Sequence, residues 1–358
     1  MYSNNLKFIY NFISFLIKPE TSIYRNKLKF ILNNLSWEQL VKVSSSHLIL
    51  PMIYSKLKNK KKQLNPPDDL MLFLEKIYKI NLERNRKILH QAKFIGNLFN
   101  KHNIKYVFIK GSALIFLKNK DFLKNRMIGD IDILVANDHI IFAKKILIEN
   151  GFSSNNPKEK NLTEGIKGIE SRHLNRLTSK KFISAVELHR EVLRDKYYNI
   201  LPSNQMFFGR YKSEYNIYVP SMKNLWKHAI LDWQINDYGY QNNYISFKTL
   251  NDVFFLEPEN LKNKISSETK EIKHFYNLIS VFYQNNLGFK SCKRYFFKAK
   301  LEYSFVNKFF LFYNKFKLFS DHIFSRFILL LNSKVYRKRI INNPQEIIKK
   351  ISKNFKET

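Results

Sequence analysis

Apolar residues recur at intervals of three and four positions through the first hundred residues, as they do at Leu70, Leu74 and Ile77. This spacing places apolar side chains on one side of a helix, so it predicts helices rather than strands. The longest helix should begin at Pro66-Pro67-Asp68-Asp69, because proline suits the first helical turn and carboxylates complement its positive end. Residues 1–100 are therefore predicted to form an N-terminal helical region.

The pattern changes at residue 104, where a β-branched and aromatic run from Ile104 to Ile109 predicts a strand. Lys110-Gly111-Ser112 follows as a turn, and a short helix is expected from Ala113 to about Leu117. Polar and apolar residues then alternate from Asp130 to Val135, which predicts a second strand that lines a cleft. Together these segments predict a short βαβ unit.

More elements are expected after this unit. Asn137 can cap a helix that Gly151 is placed to end, since glycine favours the residue after a helix. Residues 153–170 are rich in Ser, Asn, Lys and Gly and predict a loop, whereas residues 182–189 predict a third strand. Residues 101–200 should thus form an α/β core.

Helical spacing returns at about residue 220, so residues 201–358 are predicted to form a C-terminal helical region. The expected fold class is α+β, with a mixed β-sheet core flanked by N-terminal and C-terminal helical regions. No stretch contains the roughly 18 uncharged apolar residues that cross a bilayer, so no transmembrane segment is expected.

The segment from Phe305 to Ile341 combines many aromatic residues with lysine and arginine. This composition is typical of a helix whose apolar face packs into the core while its lysines face solvent, and that is the interpretation we favour. A helix that lies on a membrane surface or on nucleic acid is the alternative.

The formal net charge is +33, from 62 Lys and Arg against 29 Asp and Glu, and such a charge attracts phosphates, nucleic acid or anionic lipid. The lysines accompany abundant Asn, Ile, Phe and Tyr, a mixture that AT-rich codons also favour. Nucleic-acid binding is therefore not the preferred hypothesis. The single cysteine, Cys292, excludes an internal disulfide framework and a multi-cysteine zinc site, which fits a cytoplasmic location.

Two aspartates open the second predicted strand. Asp130 and Asp132 are two residues apart, so their carboxylates should share one face of the strand. Mg²⁺ or Mn²⁺ would relieve the repulsion between them and could bind substrate phosphate oxygens at the same time. Gly111 and Ser112 lie at the preceding strand-to-helix turn, where backbone N–H groups can hold a phosphate.

A third acidic residue is expected, because metals aligned for attack at phosphorus need more than two carboxylates. Glu187 is the best candidate, since its strand should lie beside that of the aspartates. His189 shares the face of Glu187 and could orient substrate, although an ordinary hydrogen-bonded histidine is the simpler interpretation. Lys110 and Arg126 could stabilise a leaving pyrophosphate, or could be surface cations.

This combination resembles the nucleotidyltransferase fold of the DNA polymerase beta superfamily, and more closely a bacterial family described as uncharacterised nucleotidyltransferases. The resemblance spans roughly residues 75 to 255. The matching features are Asn85, Ile109-Lys110-Gly111, Arg126, Gly129 to Val135, Gly151-Phe152, His173 and Glu187-Leu188-His189. One departure is the missing second glycine after Gly111-Ser112, where Phe116 and Leu117 stand instead.

The resemblance implies that Asp130, Asp132 and Glu187 bind Mg²⁺ or Mn²⁺ and that Lys110, Gly111, Ser112 and Arg126 bind a nucleoside triphosphate such as ATP. It also offers His173 and His189 as substrate-orienting residues. The implied reaction moves a nucleoside monophosphate to an acceptor hydroxyl and releases pyrophosphate. The acceptor, a small molecule, a peptide or a protein, is not specified by these residues.

Two other functions remain open. A catalytically weakened nucleotide-binding or protein-interaction module of the same fold is favoured by the missing glycine, but it gives no reason for three acids. A basic nucleic-acid-binding protein is suggested by the charge alone, and its affinity should fall steeply with salt.

Overall fold

The computed structural model describes residues 3–18, 23–117, 121–154, 172–256, 265–283, 292–332, 334, 337–338 and 341. The predicted loop at residues 153–170 lies mostly outside these residues. The buried apolar side chains form one continuous cluster that extends from the N-terminal helices to the C-terminal ones. The division of the chain at residues 100 and 200 remains a prediction.

The N-terminal region is helical, as predicted. Its helices are α1 Ser3–Ile17, α2 Ile23–Asn33, α3 Trp37–Ser46, α4 Leu50–Asn59, α5 Lys61–Leu64 and α6 Asp68–Lys101. Helix α6 begins after Pro67 and carries Asp68 and Asp69 in its first turn, which is where the sequence placed its start.

A five-stranded mixed sheet forms the core. Its strands are β1 Tyr106–Phe108, β2 Ile131–Val135, β3 Ser153–Ser154, β4 Leu177–Thr178 and β5 Val186–His189, and their order across the sheet is β1-β2-β5-β4-β3. Strands β2 and β5 are parallel, whereas the other neighbouring pairs are antiparallel. The α+β fold class is therefore confirmed.

The expected βαβ unit is wrong in one respect, because β1 runs antiparallel to β2. The connection between them contains two short helices, α7 Lys110–Leu114 and α8 Asp121–Asn125. Helix α7 begins at Lys110, three residues earlier than predicted, so Gly111 and Ser112 lie inside it rather than in a turn before it.

Helix α9, Ile140–Glu149, follows β2, and Gly151 continues the chain at φ +85°, a conformation that glycine adopts without a steric penalty. The helix begins two residues later than a cap at Asn137 would place it, because His139 is the residue that precedes its first turn. The third predicted strand is also shorter than expected, since β5 begins only at Val186.

Buried amides of α6 hold the segments that carry the site. Asn85 Nδ2 donates to the carbonyl oxygens of Leu123 and Arg126 at 2.9 and 2.7 Å. Gln91 makes two hydrogen bonds to the backbone of Ser184, just before β5, at 2.7 and 3.0 Å. The long helix therefore fixes both the approach to β2 and the approach to β5.

Among the residues from 201 onward that the structure describes, the regular elements are helices and one small hairpin. Its helices are α10 Ser203–Phe207, α11 Met222–Leu231, α12 Gly239–Asn242, α13 Phe247–Leu256, α14 Lys270–Ile279, α15 Cys292–Glu302 and α16 Ser304–Asn332. The hairpin pairs β6 Tyr211–Lys212 with β7 Tyr218–Val219. A π-helical turn, Asp232–Asn236, directly follows α11 and directs Asp232 toward the sheet.

The favoured interpretation of the aromatic C-terminal segment is wrong for a large group of its side chains. Phe305, Phe309, Phe312 and Phe316 of α16 are each more than 60% exposed instead of lying in the core. No helix in the described part of the chain is both long enough and apolar enough to cross a membrane.

Candidate active site

Strand pairing brings the predicted acids together. In the parallel pair of β2 and β5, Asp132 lies opposite Glu187 and Leu134 lies opposite His189. One ligand atom each from Asp132, Glu187 and His189 lies within 4.8 Å of the other two. The sequence predicted this proximity because side chains two positions apart on a strand share a face.

Asp132 is the more enclosed of the two carboxylates in the cluster, with 7% of its surface exposed. Its Oδ1 accepts a hydrogen bond from His189 Nε2 at 2.9 Å and lies 3.0 Å from Lys110 Nζ. Burial raises the pKa of Asp132, but the charge of Lys110 and the bond from His189 outweigh burial, so the pKa lies below its ordinary value. Asp132 is therefore ionised at neutral pH.

Glu187 is half-buried beside Asp132. Its Oε2 lies 3.6 Å from His189 Nε2, and its Oε1 lies 3.5 Å from Arg176 Nε. The contact with His189 lowers the pKa of Glu187 to about 2, against the opposing effect of burial. The site thus holds two ionised carboxylates side by side.

Asp130 lies one residue before β2 and contributes to the same face from the end of the strand. Its Oδ2 forms an ion pair with Arg176 Nη2. Burial raises the pKa of Asp130 above its ordinary value, although the Arg176 guanidinium acts in the opposite direction. Arg176 contacts both Asp130 and Glu187, so its guanidinium stands between the two carboxylates.

Lys110 links the sheet to the C-terminal helical region. Its Nζ lies 3.0 Å from Asp132 Oδ1 and 4.0 Å from Asp232 Oδ1. Burial lowers the pKa of Lys110, but the charges of Asp232 and Asp132 raise it more, so the net pKa lies above its ordinary value. Lys110 also has φ +54°, a left-handed backbone that turns the chain from β1 into α7.

Ser112 has a structural contact in this site. Its fully buried hydroxyl lies 2.6 Å from the Ile109 carbonyl oxygen and 2.9 Å from that of Asp132. The hydroxyl oxygen also lies 3.2 Å from the backbone N–H of Asp132, from which it can accept. The side chain therefore ties α7 to β2 and fixes the backbone of the central acid.

Gly111 places the same helix against Arg126. A Cβ atom built on Gly111 would lie 3.8 Å from the Arg126 guanidinium, an ordinary contact distance. Arg126 Nε lies 2.9 Å from both carboxylate oxygens of Asp252, and Nη2 lies 2.9 Å from Oδ2. Arg126 is thus close to the predicted phosphate loop, but it is held by a buried ion pair with α13.

The two predicted histidines also lie together. The rings of His173 and His189 have centroids 5.2 Å apart, and the two residues form a β-bridge. His173 Nδ1 lies 2.9 Å from the Leu174 carbonyl oxygen. Burial lowers the pKa of His173, so this ring is neutral at neutral pH and can donate through Nδ1.

Several charged residues of the site were not predicted from sequence. Arg172 Nη1 lies 3.5 Å from Asp232 Oδ1, and Arg176 contacts two of the acids as described above. Asn236 Nδ2 donates to Asp232 Oδ1 at 2.6 Å. These residues belong to no short motif, and only the tertiary fold brings them to Lys110 and the sheet.

The donor atoms present are suited to a divalent cation. Two ionised carboxylates and an imidazole nitrogen converge within 4.8 Å, and the carboxylate oxygens suit Mg²⁺ or Mn²⁺. His189 Nε2 could join them as a ligand only in the tautomer that carries the proton on Nδ1, in which it no longer donates to Asp132. His189 Nδ1 is buried and has no hydrogen-bond partner among the described residues. These three side chains could therefore hold a metal ion.

Comparison with known protein families identifies the chain. A profile of the family described as "uncharacterised nucleotidyltransferase" matches residues 33–262, well over half of the 358 residues. The chain belongs to the uncharacterised nucleotidyltransferase family. No curated protein matches it in a search of whole sequences. The family match includes every site residue from Lys110 to Asp252 and ends before helices α14 to α16.

Membership in the uncharacterised nucleotidyltransferase family supports the general activity of nucleotidyl transfer. It also agrees with the mixed sheet and flanking helices of the fold. The family description names neither an acceptor nor a metal.

Proposed function

We propose that this chain is a cytoplasmic, metal-dependent enzyme that transfers a nucleoside monophosphate from a nucleoside triphosphate to an acceptor hydroxyl and releases pyrophosphate. The observation that carries the proposal is the convergence of Asp132, Glu187 and His189 beside Asp130. Membership in a nucleotidyltransferase family supports the same reaction class. ATP is the first triphosphate to test.

Asp132 and Glu187 would hold the cation, and Asp130 would join them once Arg176 releases its carboxylate. Bound Mg²⁺ or Mn²⁺ would supply Lewis-acid polarisation of the α-phosphate. The side chain of Arg176 is 52% exposed, so it can leave the carboxylates and turn toward solvent or toward a phosphate oxygen. Before a metal binds, the acids therefore form ion pairs with Lys110 and Arg176.

The chain's cations would stabilise charge during transfer. Lys110 keeps Asp132 ionised, and Arg126 lies beside Gly111, where the triphosphate is expected. Ser112 would contribute by fixing the backbone of Asp132, while its N–H and that of Gly111 remain candidates for phosphate contacts. Glu187 would complete the ligand set or accept the proton of the attacking hydroxyl.

His189 donates to Asp132 and lies next to His173, so the histidine pair would orient the acids and the substrate rather than exchange protons with them. The acceptor would enter between the sheet and the C-terminal helical region, because Asp232 and Asp252 bring that region against Lys110 and Arg126. A small molecule, a peptide and a protein are all suitable acceptor classes.

The deciding experiment measures pyrophosphate release. Purified protein is incubated with each nucleoside triphosphate, Mg²⁺ or Mn²⁺, and a cell extract that supplies acceptors. Turnover that disappears with a chelator and in Asp132→Asn supports the proposal. The matched control is Asp138→Asn, whose side chain is 79% exposed just beyond the same strand, and this variant should retain turnover.

A nucleotide-binding module without turnover is the second candidate. The position of Arg176 between Asp130 and Glu187 favours it, because the guanidinium already neutralises acids that a metal would need. In that case the protein would bind a triphosphate but would release no pyrophosphate with any acceptor. The Asp132→Asn variant and the parent chain would then give the same assay result.

A further inference from the structure

Helix α16 presents a long apolar surface to solvent. We define its aromatic face as Phe305, Phe309, Phe312, Phe316, Phe324 and Phe327, whose exposed fractions range from 56% to 72%. Successive members are separated mostly by three or four positions, so they share one side of the helix. Single exposed apolar residues are common on proteins, but six exposed rings on one side of one helix mark an interaction surface.

The other side of α16 is attached to the protein. Asn314 is 6% exposed, and the Phe310 ring packs against Phe296 of α15 with centroids 5.5 Å apart. Lys300 of α15 lies 4.6 Å from the centre of the Phe310 ring. The aromatic face is therefore uncovered while the helix is docked on α15.

The polar residues near the aromatic face carry positive charge. Lys308 and Lys317 are exposed on α16, and the helical residues Lys334 and Lys338 are exposed beyond its end. The sequence of α16 contains one acidic residue, Asp321, against four basic ones, Lys308, Lys315, Lys317 and Arg326. A helix with phenylalanines on one face and lysines beside them has the composition of a helix that lies in a membrane interface.

We propose that the aromatic face of α16 binds the surface of a membrane that contains anionic lipids, with the helix lying parallel to that surface. The phenylalanine rings would enter the boundary between headgroups and acyl chains, and the four lysines would contact anionic headgroups. Helix α16 lies outside the family match at residues 33–262, so the proposed membrane-binding surface is separate from the predicted active site.

Two other occupants fit the surface less well. Nucleic acid would use the lysines and could stack on the rings, but it offers nothing to the exposed aliphatic residues Ile323, Ile328 and Leu331 of the same helix. A second copy of the chain would bring several basic residues together across a symmetric helix pair, and each helix has only Asp321 in its sequence to compensate them. An anionic lipid surface satisfies both the apolar and the basic residues.

The test is co-sedimentation of the full chain with lipid vesicles. Vesicles of phosphatidylcholine with about 30% phosphatidylglycerol are compared with vesicles of phosphatidylcholine alone. The protein should bind the anionic vesicles, should bind the neutral ones much less, and should lose binding as salt is raised. Absence of binding to anionic vesicles at low salt overturns the proposal.

Two variants separate the apolar contribution from the charge. The first variant combines Phe309→Ser, Phe312→Ser and Phe316→Ser. It should bind anionic vesicles at least about tenfold more weakly, because it removes three apolar contacts with the membrane. A second variant removes the four lysine charges, with Lys308→Gln, Lys317→Gln, Lys334→Gln and Lys338→Gln combined. It should also bind anionic vesicles more weakly, by roughly up to fivefold for each lysine.

Each variant has a matched control. Phe208→Ser removes a phenylalanine that is 82% exposed on another part of the protein, and should bind like the parent chain. The control for the lysine variant combines Lys62→Gln, Lys87→Gln, Lys223→Gln and Lys270→Gln at exposed positions elsewhere. It removes the same net charge and should retain binding. Equal losses in a variant and its control contradict a surface located on α16.

Circular dichroism of each variant establishes that the fold is intact. Sedimentation velocity and binding to a fluorescent single-stranded oligonucleotide examine the other two occupants. The lipid proposal is overturned if the parent chain does not bind vesicles and the phenylalanine variant loses a dimer or loses oligonucleotide binding. Loss of a dimer assigns the surface to a second copy of the chain, and loss of oligonucleotide binding assigns it to nucleic acid.

Discussion

Asp132 and Glu187 are register partners in the parallel pair of strands β2 and β5. The strands pair regularly on both sides of these two residues, so the backbone of the sheet sets the separation of the two carboxylates. His189, on β5 with Glu187, donates to Asp132 and completes the group. The metal-binding hypothesis therefore depends on a rigid part of the protein rather than on a loop.

We expect Asp132→Asn and Glu187→Gln to weaken Mn²⁺ binding by more than about tenfold each, because each removes an anionic ligand. Isothermal titration calorimetry and Mn²⁺ electron paramagnetic resonance would measure this without any substrate. Asp138→Asn should bind Mn²⁺ like the parent chain. If Glu187→Gln abolishes turnover but leaves Mn²⁺ affinity unchanged, Glu187 acts on the acceptor proton and is not a ligand.

Arg176→Gln should bind Mn²⁺ about two- to tenfold more tightly than the parent chain, because the guanidinium competes with a cation for Asp130 and Glu187. Arg194→Gln is a suitable control, since the Arg194 guanidinium stacks on the Tyr238 ring and forms none of the described ion pairs with Asp130, Asp132 or Glu187. Weaker metal binding by Arg176→Gln would show that Arg176 supports the site instead of competing for it.

The buried ion pair between Arg126 and Asp252 should contribute to stability. Asp252→Asn is expected to lower the free energy of unfolding by about 3 kcal/mol, because it leaves a guanidinium buried without its counter-charge. The double variant Arg126→Met with Asp252→Leu should be less destabilised than that single variant. Urea unfolding followed by fluorescence would measure both.

The control for this pair is Glu38→Gln, which removes an exposed ion pair with Lys42 and should change the unfolding free energy by less than about 1 kcal/mol. A cost at Asp252 no larger than at Glu38 would mean that the Arg126 ion pair adds nothing to stability.

Glu187 should make the free energy of unfolding depend on acid pH. Its pKa is about 2 in the folded protein against an ordinary value of 4.5, so the folded state favours the ionised form. This stabilisation is present above pH 4.5 and is lost as pH falls toward 2. Urea midpoints of the parent chain should therefore decrease more steeply over this interval than those of Glu187→Gln.

Glu83→Gln, which removes a carboxylate at an exposed position on α6, serves as the comparison variant. Parallel slopes for the parent chain and Glu187→Gln would contradict the lowered pKa.

Local patterns were sufficient to predict the centre of this site. Alternation predicted strand β2 and the shared face of Glu187 and His189, because a strand puts every second residue on one face. The sequence also placed the Glu187 strand beside β2, whereas the register that sets Glu187 opposite Asp132 is seen only in the structure. The long helix α6 was equally clear, since proline and two aspartates mark its start.

The remaining contacts depend on tertiary structure that no short motif describes. Asp232 reaches Lys110 from a π-helical turn, and Arg176 reaches the acids from the position just before β4. The antiparallel direction of β1 depends on the path of α7 and α8, which periodicity does not specify. Periodicity likewise shows that α16 has an apolar face, but it does not show whether another element covers that face.

The contact between Lys110 and Asp232 has a consequence for the order in which the ribosome makes the site. The aspartate follows the lysine by 122 residues, from position 110 to position 232. At roughly 5–20 residues per second, synthesis needs about 6 to 24 seconds to cover that distance. The nascent chain therefore holds its three predicted acids before Asp232 exists, and a product that stops before residue 232 lacks the second anion beside Lys110.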